Sequence, residues 1–306
     1  MAHSYLDVRR HGRIVVVPSN EQRRAAAKRK LERQLANRAE RARKRKRLTI
    51  AGSVLGVVVV AAAATGVYLL TKGEEPDTAA ASETPEASLS AAAPPAATPK
   101  PELVNCTYTD SPEPAAKPVQ KPTKTEGIPT TGGDATVSVS VETNQGPLGL
   151  TLNNAESPCT VNSFVSLATQ GFFDGTDCHR MTADATLKVL QCGDPTGTGK
   201  GGPGYVFGNE YPTDQYAEGD PMAMEAIAYK RGTLAMANAG PGTNGSQFFL
   251  VYGDSQLPPQ YTIFGTVDEN SMATLDKIAA LGQDDSNGPG DGKPTSPVTI
   301  QSVRLD

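Results

Sequence analysis

The chain has 306 residues and a formal net charge of −4 at pH 7, which leaves room for one or two domains. The charge is uneven, because residues 1–47 carry 16 Lys and Arg against 4 Asp and Glu, whereas the remainder carries 13 against 29. Such a division suggests two compartments or two kinds of partner. Only three His residues are present, two of them within the first eleven positions, so a His-based metal site is not expected in the acidic part.

An uncharged stretch follows the basic N-terminal segment. Residues 48–70 read LTIAGSVLGVVVVAAAATGVYLL. At about 1.5 Å per residue they would span roughly 35 Å as a helix, enough for a hydrocarbon core of about 30 Å. The basic residues would form its positive flank inside the cell. We therefore predict a basic cytoplasmic segment (1–47), a single transmembrane helix (48–70) that contacts the lipid bilayer, and a catalytic part outside the cell membrane.

Two other interpretations of this region were weighed. Ala61 to Ala63 fit a signal-peptide cleavage site, but the long N-terminal region and the apolar residues that continue to Leu70 favour a retained anchor. Residues 21–47 are basic enough to suggest nucleic-acid binding. The neighbouring membrane helix explains their charge, so no nucleic-acid partner is expected.

The next segment has the composition of a tether. Pro, Ala and Thr occupy 28 of the 54 positions from 73 to 126, and large apolar residues are scarce. Such a composition cannot bury a core. We predict a disordered, extended linker over 71–126, attached to the folded part through Cys106.

From about residue 127 the pattern is that of a folded domain, 127–306. ATVSVSVETN and PLGLTL alternate as a β-hairpin does, around a turn at 144–146. Residues 159–170 and 271–281 have helical spacing and end at Gly171 and Gly282. A final strand is VTIQSVRL. Many short strands with two helices indicate a mainly β fold, a closed barrel with helical caps.

Two glycine-rich loops imitate nucleotide-binding motifs. Residues 240–245 fit the pattern GxGxxG, but the segment that follows is typical of a strand and not of a helix. Residues 193–200 have five residues between two glycines where a phosphate loop has four. Both are predicted to be turns, and no cofactor or metal is expected.

The most informative stretch, 232–253, reads GTLAMANAGPGTNGSQFFLVYG and closely resembles the central signature of the cyclophilins. The resemblance extends to 178–210 and 257–267 and covers roughly residues 130–306. The N-terminal arrangement resembles that of membrane-anchored bacterial cyclophilins. The resemblance implies a closed eight-stranded antiparallel β-barrel capped by two α-helices, with a groove on its outer surface. It also implies a peptidyl-prolyl cis/trans isomerase that assists the folding of exported proline-containing polypeptides.

Matching by position places the family's catalytic arginine at Arg180. The substrate-binding residues that the resemblance implies are Gln191, Ala237, Asn238, Gln247, Phe249, Leu257, Tyr261 and Val189. No covalent bond breaks in this reaction, which faces a rotational barrier of ~18–20 kcal/mol. A guanidinium that hydrogen-bonds the twisted imide nitrogen better than the planar one would lower that barrier.

Several positions depart from the family pattern. Lys188 and Val189 stand where the family has Phe and Met, after a three-residue insertion around 183–187. Tyr261 stands at the pocket histidine. Gln256 stands at the tryptophan of cyclosporin-sensitive members, so weak cyclosporin binding is expected. These departures keep an alternative open, that the domain is a catalytically weak cyclophilin-like peptide-binding module.

The four cysteines all lie in the acidic part, as disulfides in an oxidising compartment would. Four cysteines permit three pairings, which the sequence does not choose between. We hypothesise a structural link between Cys178 and Cys192 across a hairpin. His179 is expected to be a structural strand residue and not an acid or base.

Overall fold

Residues 91–306 are described by the computed structural model. The predicted basic segment, transmembrane helix and first part of the linker lie outside these residues. Within 91–306, no helix has both the length and the apolar character needed to cross a bilayer.

The described chain is mainly β, with two α-helices, α1 (Pro158–Thr169) and α2 (Met272–Ala280). The strands are β1 (Leu103–Val104), β2 (Thr109–Asp110), β3 (Ile128–Pro129), β4 (Thr136–Thr143), β5 (Gly146–Asn153), β6 (Thr176–Asp177), β7 (Arg180–Asp184), β8 (Leu187–Cys192), β9 (Tyr205–Val206), β10 (Ile227–Tyr229), β11 (Thr233–Met236), β12 (Phe248–Gly253), β13 (Ser255–Leu257), β14 (Ile263–Val267), β15 (Asp291–Gly292) and β16 (Thr299–Leu305).

The predicted hairpin is formed by β4 and β5. These strands pair without interruption from Thr136 opposite Asn153 to Thr143 opposite Gly146. The alternation in the sequence has the expected cause, since Val139 and Val141 are buried in the core while the serines between and before them are not.

Ten strands form one curled antiparallel sheet in the order β15-β7-β8-β12-β11-β14-β5-β4-β16-β6. The sheet ends at β15 on one side and at β6 on the other, and β6 and β7 do not pair with each other, so the strands do not form the predicted closed barrel of eight. The reason lies at residues 178–179, which separate β6 from β7. Cys178 donates its N–H to Val298 O (2.8 Å) beside β16 and is bonded to Cys192 on β8. The chain therefore runs directly from β6 at one edge of the sheet to β7 near the other edge. Its backbone hydrogen bonds change partner on the way, because β6 pairs with β16 and β7 pairs with β8.

The sheet carries an apolar cluster on each face. The larger one holds the helices, whose predicted buried stripe is confirmed: Phe164 of α1 lies 4.9 Å from the ring of Phe173 and 5.4 Å from those of Phe248 and Phe264. The smaller one contains Phe249. Because adjacent strand residues point to opposite faces, the Phe248-Phe249 pair serves both clusters.

Residues 91–126, the last 36 of the 56 positions of the predicted linker, pair with and pack against the domain. β1 pairs with β3 and β2 pairs with β9. Tyr108 is buried in the larger cluster, and Cys106 is bonded to Cys159 of α1. The composition of this segment does not reveal these contacts, because backbone pairing, one aromatic ring and one disulfide hold the segment in place, and no apolar stripe is needed.

Two disulfides are present in residues 91–306, one across the β7–β8 hairpin and one between the N-terminal segment and α1. The hypothesised Cys178–Cys192 link is confirmed, and no free cysteine remains in residues 91–306. The Cys106–Cys159 bond closes a loop of 53 residues.

Replacing both Cys106 and Cys159 by Ser is expected to lower the free energy of unfolding by about 3–4 kcal/mol, because the unfolded chain regains the freedom of that loop. Denaturant unfolding would measure it. The disulfide-reduced wild type should lose at least as much. An unchanged unfolding curve, or four alkylatable thiols in the native protein, would contradict the assignment.

Candidate active site

Strand register places the predicted site residues on one face of the sheet. Arg180 of β7 lies opposite Gln191 of β8, Gln191 lies opposite Phe249 of β12, and Phe249 lies opposite Ala235 of β11. Directly opposed residues of antiparallel strands share a face. The predicted catalytic arginine, groove glutamine and pocket phenylalanine thus form a row across three neighbouring strands.

A chain of side-chain hydrogen bonds runs along the polar end of this row. Arg180 Nη1 donates to Gln191 Oε1 at 3.2 Å, and Gln191 Nε2 donates to Gln247 Oε1 at 2.9 Å. Gln247 Nε2 donates in turn to the carbonyl oxygen of Gly201 at 3.0 Å. Each side chain fixes the orientation of the next, so the guanidinium and both amides are held before any ligand arrives.

Asp291 completes the polar chain and was missed by the sequence reasoning. Arg180 Nε donates to Asp291 Oδ1 at 2.9 Å and Oδ2 at 3.1 Å, and Nη2 donates to Oδ2 at 2.6 Å. The two residues are 111 positions apart, so no spacing in the sequence connects them. They meet because β15 pairs with β7, with Asp291 opposite Thr182.

The arginine keeps hydrogen-bonding capacity beyond these contacts. A guanidinium has five N–H groups. The bonds to Asp291 and Gln191 use three of them, which leaves one on each terminal nitrogen. The Arg180 side chain is 34% exposed, so those two donors are within reach of a ligand.

The apolar end of the row is the smaller cluster. It brings together five of the predicted substrate-binding residues: Val189, Ala237, Phe249, Leu257 and Tyr261. The Phe249 and Tyr261 rings meet edge to face, with centroids 5.9 Å apart.

The depth of these residues differs from the expectation that all of them line the pocket surface. Val189 and Phe249 are only 3% and 4% exposed, and they form a floor. Leu257 and Tyr261 are half-buried, so they leave part of their apolar surface exposed above that floor.

Tyr229 supports this surface and was also missed. Its ring is fully buried, 6.3 Å from that of Phe249. Its hydroxyl donates to the carbonyl oxygens of Pro258 (3.2 Å) and Tyr261 (2.9 Å). Burial raises the pKa of this hydroxyl, so it remains a donor. Ile227, Ala228 and Tyr229 form a short apolar run in which every residue is buried, and nothing in that run indicates the contact with Phe249.

A groove of about 620 Å³ begins beside Gln191. Gln247, Ala237 and Asn238, three of the predicted substrate-binding residues, line it. The Asn238 amide donates to Gln260 O (2.9 Å) and Asn244 Oδ1 (3.2 Å) and therefore shapes the loop. Its backbone is what remains for a bound peptide.

Electrostatics keep the charged pair ionised. Hydrogen bonds from Arg180 lower the pKa of Asp291, and the same bonds raise the pKa of Arg180. Burial lowers the pKa of His179, and neither ring nitrogen has a partner among the described residues. His179 lies near Gly199, between β6 and β7 and therefore outside the strand in which it is predicted. Within residues 91–306, no group of three His, Cys, Asp or Glu side chains is arranged to hold a metal ion.

Comparison with known proteins agrees with this geometry. Residues 138–305 match the family model of the cyclophilin type peptidyl-prolyl cis-trans isomerases. A probable peptidyl-prolyl cis-trans isomerase B of Mycobacterium leprae is 55% identical over 303 residues, which cover 95% of this chain and 100% of that protein. The protein of the same name from Mycobacterium tuberculosis is 62% identical over 202 residues, which cover 66% of this chain and 64% of that protein.

Among solved structures, a cyclophilin type peptidyl-prolyl cis-trans isomerase of Cryptosporidium parvum superposes with a TM-score of 0.45 at 31% identity, over 56% of this chain and 98% of its own. From the family match and the relatives, the chain belongs to the cyclophilin family and is a peptidyl-prolyl cis-trans isomerase.

Asp291→Ala is expected to lower kcat/KM on the order of tenfold, about 1.4 kcal/mol, because the guanidinium loses the partner that fixes it. A coupled isomerisation assay would measure it. The matched control is Asp276→Ala. Asp276 lies on α2 and forms an exposed ion pair with Arg231, so its loss should leave kcat/KM unchanged. An Asp291→Ala enzyme with full or increased activity, and an unchanged Tm, would show that Asp291 does not position Arg180.

The rate is expected to be flat between about pH 6 and 8. Over that range Asp291 stays ionised, since its pKa is lowered, and Arg180 stays protonated, since its pKa is raised. The ion pair would be lost only as the pH falls through the lowered pKa of Asp291, below about 3.9. A bell-shaped profile of kcat/KM with a limb near neutrality would contradict this account.

Proposed function

We propose that Arg180 is the catalytic group and that it acts on the nitrogen of an X-Pro peptide bond. The observation that carries this proposal is the held guanidinium with two free N–H groups beside an apolar surface. When the imide twists, its nitrogen lone pair is no longer shared with the carbonyl and can accept a hydrogen bond. A donor fixed for that geometry stabilises the twisted state more than either planar isomer.

The remaining predicted residues hold the substrate. Leu257 and Tyr261 would contact the proline ring above the floor of Val189 and Phe249. Gln191, Gln247 and the backbone at Ala237 and Asn238 would contact the flanking peptide in the groove. Because hydrogen bonds within the protein hold Arg180, Gln191 and Gln247 in place, little ordering of these side chains is needed upon binding.

Arg180→Ala should lose most of the activity on a proline-containing tetrapeptide. A contribution of ~5 kcal/mol by the whole site would correspond to several thousandfold, so a loss of at least about a hundredfold is expected for its central donor. Arg180→Lys should recover little, since an ammonium cannot keep the forked contact with Asp291. Arg231→Ala, on the exposed pair with Asp276, is the matched control.

The same assay separates the two candidate functions. Turnover by the wild type that Arg180→Ala abolishes, with Tm preserved, supports an isomerase that uses this site. Wild-type binding of the peptide with negligible turnover would favour the catalytically weak peptide-binding module. That alternative is supported by Lys188 and Val189, which depart from the family pattern, and by the burial of Phe249.

The enzyme is further proposed to work outside the cytoplasm, anchored by residues 48–70, on exported proline-containing polypeptides. The support is the 23-residue uncharged stretch after a basic segment, and two disulfides that suit an oxidising compartment. The N-terminal basic segment would face the cytoplasm and the anionic lipid surface.

Cell fractionation with protease treatment of intact spheroplasts tests this location. The full chain is expected to stay with the membrane after alkaline carbonate, and protease should remove the domain while sparing the N-terminal segment. Deletion of 48–70 should release the protein from the membrane. A mature N-terminus close to Ala64 would favour the cleaved signal peptide, and a protease-resistant, carbonate-soluble chain would contradict export altogether.

A further inference from the structure

The substrate groove has a wall that does not come from the family domain. Ser111, Pro112, Glu113 and Pro114 line the groove together with Gln191 and Gln247. The family match begins only at residue 138. This wall, residues 111–114, is therefore a part of the site that this chain adds to the conserved domain.

Backbone hydrogen bonds fix the wall in place. β2 pairs with β9 immediately before it, with Asp110 opposite Tyr205. Ser111 N then donates to Gly204 O at 3.0 Å, and beyond the wall Ala116 N donates to Gly202 O at 2.8 Å. Gly204 has φ +80°, and a Cβ there would come within 2.9 Å of Ala115 N. The close approach of the two segments requires glycine at this position.

The two ends of the segment are anchored independently. On one side Tyr108 is buried, its ring edge-on to Tyr205 at 5.6 Å, and its hydroxyl donates to Cys159 O at 2.7 Å. The Cys106–Cys159 disulfide lies just before it. On the other side Lys117 Nζ donates to the carbonyl oxygens of Phe172 (3.0 Å) and Asp174 (2.6 Å). Anchors on both sides make the wall a permanent border of the groove.

The wall brings a carboxylate to a groove that is otherwise polar and mostly uncharged. Glu113 is exposed and forms no ion pair within residues 91–306. The other charged side chain of the lining is Lys200. The surrounding domain is strongly acidic, since residues 91–306 contain 24 Asp and Glu against 12 Lys and Arg. The field of the domain therefore favours a positively charged ligand and offsets the single Lys200.

We propose that the 111–114 wall extends substrate recognition beyond the proline, and that Glu113 favours polypeptides with Lys or Arg at a position flanking it. The inference rests on the proposed function, because it concerns a residue of the same bound peptide. The proline pocket would select the reacting bond, and the wall would select among the sequences around it. Exposed charge pairs contribute modestly, so this is a preference and not an absolute requirement.

The test uses the full chain and a panel of proline tetrapeptides that differ only in Lys or Glu at each flanking position. The measured quantity is the ratio of kcat/KM for the Lys peptide to that for the Glu peptide. The wild type is expected to give a ratio above one at one flanking position. Glu113→Lys should lower that ratio by roughly threefold or more, and Glu113→Gln should give an intermediate value. Glu126→Lys is the matched control, an exposed acidic residue of the same segment outside the groove lining, and it should leave the ratio unchanged.

A Glu113→Lys ratio equal to the wild type would overturn the proposal, and so would an equal fall in Glu126→Lys, which would assign the effect to net charge alone. Tm measurements show whether each variant is folded. Failure of the proposed catalytic role would look different, because Arg180→Ala would then retain activity on every peptide, whatever the ratio between them.

Discussion

The candidate active site depends on one ion pair between the neighbouring strands β7 and β15. Arg180 is held by the carboxylate of Asp291 on one side and by the amide of Gln191 on the other. Without a partner, a long and flexible side chain would lose considerable rotamer entropy on meeting a transition state. Because Asp291 and Gln191 already hold the side chain, its rotamer entropy is lost during folding and not during catalysis. The guanidinium then presents its remaining N–H donors in a fixed direction. The antiparallel pairing of β15 with β7 brings the two side chains together.

The two faces of the sheet separate the main core from the candidate site. One face packs the helices and the larger cluster, and the other carries the row from Arg180 to Phe249. Alternating strand residues serve both, so Leu190 lies in the core while its neighbours Val189 and Gln191 face the site. The wall at 111–114 adds a third contribution from outside the family domain, held by the Cys106–Cys159 disulfide and by Tyr108.

Hydrophobic patterns in the sequence predicted the strands and helices whose residues are buried at regular intervals. The alternation of β4 and β5 and the stripe of α1 are visible in the sequence because burial selects every second or every third and fourth residue. The resemblance supplied the residues of the row, which the register brings together. Asp291 and the 111–114 wall were not predictable in this way. Asp291 meets Arg180 across 111 positions, and the wall belongs to a Pro-rich segment whose composition indicates disorder. The strand count differed because the chain changes ladder partners at Cys178.

A crystal structure with a proline-containing peptide would test the central claim most directly. The account predicts that a terminal nitrogen of Arg180 lies about 3 Å from the proline nitrogen or the carbonyl oxygen before it, with the contacts to Asp291 and Gln191 preserved. The proline ring should rest on Leu257 and Tyr261. A peptide bound elsewhere, or an Arg180 side chain that leaves Asp291 and points to solvent in the complex, would contradict it.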